Sequence, residues 1–143
     1  MQRTAIAVWN GNLREGSGNI STQSGVLSSA PYSFATRFEN GKGTNPEELI
    51  AAAHAGCFTM ALDAQLATMH FTPDKLQTTA TVTLDKIDTG WAITKVHLDV
   101  AAQLRGITAS AFEAAAASAK ENCPVSRLLK AEITMTAHLE QAA

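Results

Sequence analysis

The chain of 143 residues is long enough for one domain with a real hydrophobic core and has little room for a second. A formal net charge of −2, without a run of Lys or Arg, excludes the charge pattern of proteins that bind nucleic acid or anionic membranes. The two cysteines are too few for a disulfide framework or a four-ligand structural zinc site, so any function they have is a function of free thiols. We therefore predict a single domain over residues 1–143.

The N-terminal third has the pattern of short antiparallel strands. Residues 4–9 are rich in strand formers, and residues 10–12 that follow have turn chemistry. Residues 32–38 alternate large and small side chains, which indicates another strand and places Arg37 on it. We therefore predict three antiparallel strands in this third.

One long helix is predicted over residues 45–68. Asn45 suits the N-cap, Pro46 the first helical position, and Glu48 a capping box with Asn45. Alanine, leucine and methionine dominate the rest, and at about 1.5 Å per residue the helix is roughly 34 Å long. This predicts a central element with Cys57 near its middle.

No segment indicates export or membrane insertion. The N-terminus lacks a signal-peptide pattern, and His54, Glu47 and Asp63 interrupt the apolar run of the long helix. We therefore expect a cytoplasmic protein with no membrane partner.

The second half predicts a hairpin, a second helix and a last strand. Residues 78–100 alternate on both sides of a turn at Asp88-Thr89-Gly90, which indicates a β-hairpin. Ser110 and Glu113 form a Ser-x-x-Glu box that predicts a second helix. A strand is predicted over residues 132–139. The order indicates an α+β fold, an antiparallel sheet packed on the long central helix plus a second helix.

Cys57 is the first candidate for chemistry, although a cysteine among alanines is most often a buried and unreactive side chain. Only the thiolate is a nucleophile, and a position in mid-helix gains little from the helix dipole, so a cation must come from elsewhere. His54, one turn earlier, is the nearest in sequence. This leaves open a hydrolase or acyltransferase that uses Cys57 with His54.

Cys123 precedes Pro124 at the predicted start of a short helical segment. Free N–H groups at such a position lower a thiol pKa, which makes Cys123 the better placed of the two thiols. The alternative is a buried structural cysteine, which the polar neighbours of Cys123 make less convincing.

Arg37 and Glu47 are candidates for a functional ion pair, against the simpler interpretation that both are surface charges. Glu47 and Cys57 lie ten residues apart, which on a straight helix is about 15 Å along the axis, so the two cannot touch within one helix. If Arg37, Glu47 and Cys57 share a site, a two-fold dimer is the natural geometry.

Several motifs together closely resemble the OsmC/Ohr family. They are Arg37, Asn45-Pro46-Glu47-Glu48-Leu49, His54-Ala55-Gly56-Cys57-Phe58 and Cys123-Pro124-Val125-Ser126. The likeness runs almost end to end, and the context of Arg37-Phe38 resembles the OsmC branch more than the Ohr branch.

The resemblance implies a thiol-dependent peroxidase that reduces organic hydroperoxides in oxidative or osmotic stress defence. It implies Cys57 as the peroxidatic thiol, Cys123 as the resolving thiol, Arg37 as the residue that holds the thiolate, and Glu47 as the residue that holds Arg37. An intertwined homodimer with its sites at the subunit interface is also implied. No metal, flavin or haem is required, and an external dithiol, lipoyl-type rather than glutathione, would reduce the Cys57–Cys123 disulfide.

The sequence also leads to expectations about the substrate and about a role without catalysis. An apolar lining from Phe58, Met60 and their neighbours would favour alkyl or aryl hydroperoxides over hydrogen peroxide. Besides the hydrolase, a non-enzymatic interpretation stays open, in which the chain is a small dimeric ligand-binding or stress protein with structural cysteines.

Overall fold

The chain folds into an α+β arrangement, as predicted, in a computed structural model that describes residues 1–140. The elements in chain order are β1 Ala5–Asn10, β2 Ser17–Thr22, β3 Ala30–Ser33, α1 Phe34–Phe38, α2 Pro46–Thr68, β4 Lys75–Ile87, β5 Gly90–Gln103, α3 Ala109–Asn122, α4 Pro124–Leu128 and β6 Glu132–Glu140. The order confirms the α+β class and the long helix that carries Cys57.

Two compact units divide the chain, Met1–Leu49 and Ile50–Ala143, and the boundary falls in the first turn of α2. The first unit contains β1 to β3, α1 and the start of α2, and the second contains the other elements. The single domain over residues 1–143 stays a prediction, and its last three residues lie outside the described part.

The sheet of the first unit is antiparallel in the order β1-β2-β3, as predicted. Gly18 on β2 pairs with Trp9 on one side and Tyr32 on the other, and the two aromatic rings approach to 5.3 Å between centroids. A Cβ atom at Gly18 would lie 2.5 Å from the Tyr32 ring, so glycine is required for this ring contact.

The predicted strand over residues 32–38 is wrong from Phe34 onward, because the chain turns into α1 after Ser33. The Ser33 hydroxyl accepts from the Thr36 N–H at 3.2 Å, and the Thr36 hydroxyl accepts from the Ser33 N–H at 2.8 Å. This reciprocal capping box satisfies backbone groups that a strand would leave to a neighbour. Arg37 therefore lies on a helical turn and not on a strand.

The start of α2 agrees with the prediction in one of its two capping contacts. Asn45 Oδ1 accepts from the Glu48 N–H at 2.8 Å, as an N-cap residue does. The Glu48 carboxylate instead accepts from the Thr44 hydroxyl at 2.7 Å. The helix start is thus fixed by side chains on both sides of Pro46.

The sheet of the second unit has the order β4-β5-β6. Strands β4 and β5 form the predicted antiparallel hairpin, whereas β6 pairs with β5 in parallel. Parallel pairing follows from the connection, because α3 and α4 lie between β5 and β6 and return the chain to the other end of the sheet.

The core of the second unit forms between α2, β5 and α3. Phe58, Leu62 and Leu66 recur every fourth residue along α2 and are fully buried. They belong to one cluster with alternate residues of β5 and with α3, which includes Val96, Leu98, Val100, Phe112, Ala115, Ala116, Ala119 and Cys123. Burial of each large side chain stabilises the fold by about 1.5–3 kcal/mol.

Helix α3 begins two residues earlier than predicted. Its N-cap is Thr108, whose hydroxyl accepts from the Ala111 N–H at 3.2 Å, and Ser110 lies inside the first turn. Both Thr and Ser suit an N-cap, and the earlier hydroxyl takes the position. Helix α4 follows the prediction, with Cys123 as its N-cap and Pro124 in its first turn.

Helix α2 is long and apolar enough to cross a membrane by length and composition alone, although its charged residues predicted no membrane span. The core helix of a water-exposed domain passes the same test, so the criterion decides nothing about location. Only 22% of the most apolar 18-residue stretch of this helix is buried. The exposed residues of α2 that are small or apolar are Ala52, Ala53, Gly56, Met60, Ala64 and Ala67. This leaves an exposed apolar surface on α2.

Candidate active site

The four predicted site residues form two pairs, one in each unit. Cys57 and Cys123 meet in the second unit, and Arg37 and Glu47 meet in the first.

The thiol pair joins the middle of α2 to the start of α4. The Sγ atoms of Cys57 and Cys123 lie 3.2 Å apart as a hydrogen-bonded pair of free thiols. Cys123 is fully buried and Cys57 is half-buried. Because the residue before proline avoids the helical region, Cys123 ends α3 in an extended conformation with ψ of 122°. This break brings its sulfur to α2.

The two thiols differ in their pKa values. Burial raises the pKa of Cys57, and its contact with Cys123 adds to this, against a backbone hydrogen bond from Val125. Burial also opposes ionisation of Cys123, but hydrogen bonds from the Ser126 backbone and side chain, from Cys57 and from Val125 outweigh it and lower the pKa of Cys123. The two directions agree with the expectation that Cys123 is the better placed thiol.

Arg37 and Glu47 form a forked ion pair. Arg37 Nη2 donates to Glu47 Oε1 at 2.7 Å, and Arg37 Nε donates to the same carboxylate at 3.1 and 3.2 Å. The guanidinium also lies 5.3 Å from the centre of the Phe38 ring. The Glu47 side chain is 12% exposed and that of Arg37 is 39% exposed. The carboxylate thus fixes the guanidinium plane and leaves one edge open to a further anion.

An aromatic cavity of about 280 Å³ lies beside Arg37 in the first unit. Its lining residues are Trp9, Leu13, Tyr32, Ser33, Phe34, Arg37, Phe38 and Pro46. The expectation that Phe58 and Met60 line an apolar site is wrong for Phe58, which is fully buried in the core. Met60 is 75% exposed and lines a different cavity, beside Asp63 and Leu76. The periodicity of α2 explains the error, because residues two apart on a helix face different sides.

His54 bonds to Ser126, whereas the hydrolase alternative would pair it with Cys57. Its Nε2 lies 2.7 Å from Ser126 Oγ, the ring is fully buried, and burial lowers the pKa of the imidazole. Among residues 1–140, His54 Nδ1 is the buried side-chain nitrogen or oxygen that has no hydrogen-bond partner. A buried polar atom in this state costs about 1–3 kcal/mol.

Ser126 is a neighbour of the thiol pair that was not among the predicted site residues. Ser126 contributes to the lowered pKa of Cys123, and its hydroxyl lies 2.7 Å from His54 Nε2. Its position three residues after Cys123 could have indicated this, because residues at that spacing lie on one side of the first turn of α4.

Residues 1–140 contain no group of three or more His, Cys, Asp or Glu side chains that could hold a metal ion.

The fold and the thiol pair together define a small α+β protein with a candidate dithiol redox site. Residues 39–138 match the family described as OsmC-like protein. The chain belongs to the OsmC family.

Three relatives show how far the likeness extends. Peroxiredoxin OsmC of Escherichia coli K12 is 54% identical over 134 residues, 94% of each chain. Organic hydroperoxide resistance protein OhrA of Bacillus subtilis 168 is 34% identical over 97 residues, 66% of each chain. The structure of an OsmC-like protein of unknown function from Vibrio cholerae has a TM-score of 0.78 at 19% identity, over 96% of this chain and 99% of that one. The last likeness shows the fold alone.

Proposed function

We propose that the chain is a thiol-dependent peroxidase that reduces organic hydroperoxides to alcohols in oxidative or osmotic stress defence. The observation that carries the proposal is the 3.2 Å contact between the sulfurs of Cys57 and Cys123, a distance from which a disulfide forms with little movement. The names of the relatives, peroxiredoxin and organic hydroperoxide resistance protein, support the same class of reaction.

The first step is attack by the Cys57 thiolate on a peroxide oxygen. The O–O bond breaks, the sulfur is oxidised to sulfenic acid, and the alkoxide leaves and takes a proton to become the alcohol. The raised pKa of Cys57 disfavours the thiolate in the single chain, so the step requires a cation beside the sulfur. Arg37, held by Glu47 with one edge of its guanidinium open, is our candidate for this role.

The second step closes a disulfide. Cys123 attacks the Cys57 sulfur, an S–S bond forms, and the sulfenic oxygen leaves as water. An external dithiol, which we propose to be lipoyl-type, then reduces the disulfide by thiol–disulfide exchange and is itself oxidised. The aromatic cavity beside Arg37 supports an alkyl or aryl group on the peroxide. No metal, flavin or haem takes part in these steps.

We also propose that the active protein is an intertwined homodimer with a site at each end of the subunit interface. The exposed apolar surface of α2 supports this, because a surface of that kind on a small protein is usually covered by a partner. In such a dimer Arg37 and Glu47 of one subunit would serve Cys57 of the other. A cytoplasmic location fits the proposal, since free thiols persist in a reducing compartment.

Mixed dimers test which subunit supplies the arginine. Cys57→Ser and Arg37→Ala chains are each expected to be inactive, and subunits of the two are unfolded and refolded together. If the site is shared, half of the dimers carry one intact site and activity returns to about a quarter of wild type. Activity that stays at the level of the separate variants would show that Arg37 serves its own chain or none.

Steady-state turnover tests the proposed reaction. Consumption of cumene hydroperoxide is followed with dihydrolipoamide or with glutathione as the reductant, and hydrogen peroxide serves as the comparison substrate. We expect sustained consumption with dihydrolipoamide, slower with glutathione and slower with hydrogen peroxide. Absence of turnover with every thiol, in a protein whose cysteines are reduced, would favour the non-enzymatic interpretation.

A further inference from the structure

Asn45 joins the two elements that carry the Arg37–Glu47 ion pair. Its amide nitrogen Nδ2 donates to the Thr36 carbonyl at 3.0 Å, and its amide oxygen Oδ1 accepts from the Glu48 N–H at 2.8 Å. Thr36 directly precedes Arg37 on α1. Glu48 directly follows Glu47 on α2. One half-buried side chain therefore connects the backbone beside each member of the ion pair.

Both contacts use groups that a helix leaves without a partner of its own. The last carbonyls of a helix and its first N–H groups have no hydrogen-bond partner within that helix. The Thr36 carbonyl lies in the last turn of α1, and the Glu48 N–H lies in the first turn of α2. The Asn45 side chain thus supplies a donor to the end of one helix and an acceptor to the start of the next.

Capping of α2 alone does not require an asparagine at this position. Serine and aspartate accept from the N–H groups of a first helical turn about as well as asparagine does. The amide of asparagine differs from both because it carries an acceptor and an N–H donor on separate atoms. The bond to Thr36 uses that donor, so it is the contact that another capping residue would lose.

The ion pair by itself does not fix α1 against α2. Its hydrogen bonds align the guanidinium with the carboxylate, but a partly exposed ion pair contributes little to stability. Helix α1 has only five residues, too few to be stable without outside contacts. Backbone N–H groups of the loop that follows α1 bond to the carbonyls of Pro31 and Ala35, at 2.9 and 3.1 Å. The carbonyl directly before Arg37 is held by Asn45.

We propose that Asn45 is a positioning residue of the peroxide step and holds the Arg37 guanidinium in the place where it stabilises the thiolate. This inference rests on the proposed peroxidase function and on Arg37 as the cation of its first step. Asn45 acts through the backbone before Arg37 and not on the peroxide. Without the bond to Thr36, α1 shifts against α2, and a displacement of about 1 Å is enough to slow an enzyme by up to about 100-fold.

Two substitutions remove the donor and keep the helix cap. Asn45→Ser retains an acceptor and has no amide, and Asn45→Asp has the shape of asparagine without its N–H groups. Thr44→Val is the matched control, because it removes the 2.7 Å bond from the Thr44 hydroxyl to Glu48 at the same helix start and leaves the Asn45 amide in place. Each substitution is also made in the Arg37→Ala chain. Stopped-flow mixing with cumene hydroperoxide gives the rate of sulfenic acid formation between about pH 5 and 10.

We expect both Asn45 variants to slow the peroxide step at least about ten-fold, and we expect their rates to level off at a higher pH than the wild-type rate. Thr44→Val should stay within about two-fold of wild type. In the Arg37→Ala chain, the Asn45 substitutions should change the rate by less than about two-fold, because the group through which Asn45 acts is already absent.

A wild-type rate in the Asn45 variants would overturn the inference. So would an equal loss of rate in the wild-type and Arg37→Ala chains, since Asn45 would then act independently of Arg37, or equal slowing by Thr44→Val, which would assign the effect to the whole helix start. If one Asn45 variant does not fold, the other decides. A wild-type rate in Arg37→Ala would refute the role of Arg37 and this inference with it. Absence of sulfenic acid in the wild-type protein would refute the peroxidase function itself.

Discussion

The two candidate pairs are built in opposite ways. Cys57 and Cys123 lie in or beside the hydrophobic core of the second unit, where Phe58, Leu62 and the alanines of α3 fix the backbone around them. Arg37 and Glu47 lie on a short helix and a helix start in the first unit, and the arginine side chain is 39% exposed. The thiols are thus positioned by packing and the ion pair by its own hydrogen bonds.

Because of this difference, we expect the residues that stabilise the fold to differ from those that control the reaction. A partly exposed ion pair contributes about 0–1 kcal/mol to folding, so the forked Arg37–Glu47 contact is a weak source of stability. A buried core side chain contributes several times as much. Variants of the ion pair should therefore alter reactivity and leave the fold intact, whereas variants of the core should do the reverse.

Removal of the Cys57 thiol should have the largest effect of all. Cys57→Ser takes away the sulfur that becomes sulfenic acid, so we expect no peroxide consumption above background, as followed by loss of cumene hydroperoxide. Unchanged unfolding by urea would show that the fold is preserved. Substantial turnover in this variant would transfer the first step to Cys123.

Cys123→Ser should stop the cycle after its first step. We expect one equivalent of alcohol per chain, followed by sulfenic acid or over-oxidised Cys57 in the intact mass, because no second thiol lies beside the sulfur. Continued turnover driven by a dithiol would mean that the external reductant resolves the sulfenic acid directly.

Loss of the Arg37 guanidinium should slow the peroxide step by about 100-fold, the scale seen when one electrostatic donor is removed from an active site. Stopped-flow mixing with cumene hydroperoxide measures this rate. Arg14→Ala is the matched control, because Arg14 also lies over an aromatic ring, 5.4 Å from the centre of Phe34. Equal slowing in both variants would point to a general effect of charge rather than to a role of Arg37.

The pH dependence of the peroxide step gives a second comparison of the wild-type protein with Arg37→Ala. Burial raises the pKa of Cys57, so at neutral pH the thiolate is the minor form and its fraction grows as pH rises toward the pKa. A cation beside the sulfur lowers this pKa. Between about pH 5 and 10 we expect the wild-type rate to level off at a lower pH than the Arg37→Ala rate. Identical profiles would remove Arg37 from the ionisation of Cys57.

Truncation of the core should give the opposite pattern. Leu62→Ala should reduce the free energy of unfolding by about 2–5 kcal/mol, because Leu62 is fully buried, whereas Arg37→Ala should reduce it by less than about 1 kcal/mol. Urea unfolding followed by circular dichroism measures both. An equal loss in the two variants would contradict the separation of the two regions.

The sequence predicted those parts of the fold that depend on local chemistry. The boundaries of α2, the β4–β5 hairpin and the short helix after Cys123 agree with the structure, because caps, turns and proline act within a few residues. The parallel pairing of β6 could not be found in this way, since it depends on where the crossover returns the chain.

The remaining errors arise where two local patterns compete. The alternation over residues 32–38 also fits a helix that starts at Ser33, and the capping box with Thr36 decides between them. The bond between His54 and Ser126 joins residues 72 positions apart and has no local signal. Histidine and cysteine one turn apart suggested a direct pair, but the described contacts of the ring lead to Ser126.

The most direct test of the account is an anaerobic reaction of the reduced protein with one equivalent of cumene hydroperoxide, followed by intact mass and a count of free thiols. Wild type should lose both thiols and the mass of two hydrogen atoms, while Cys57→Ser should keep its remaining thiol. If both thiols of the wild-type protein persist, the proposed peroxidase cycle is wrong.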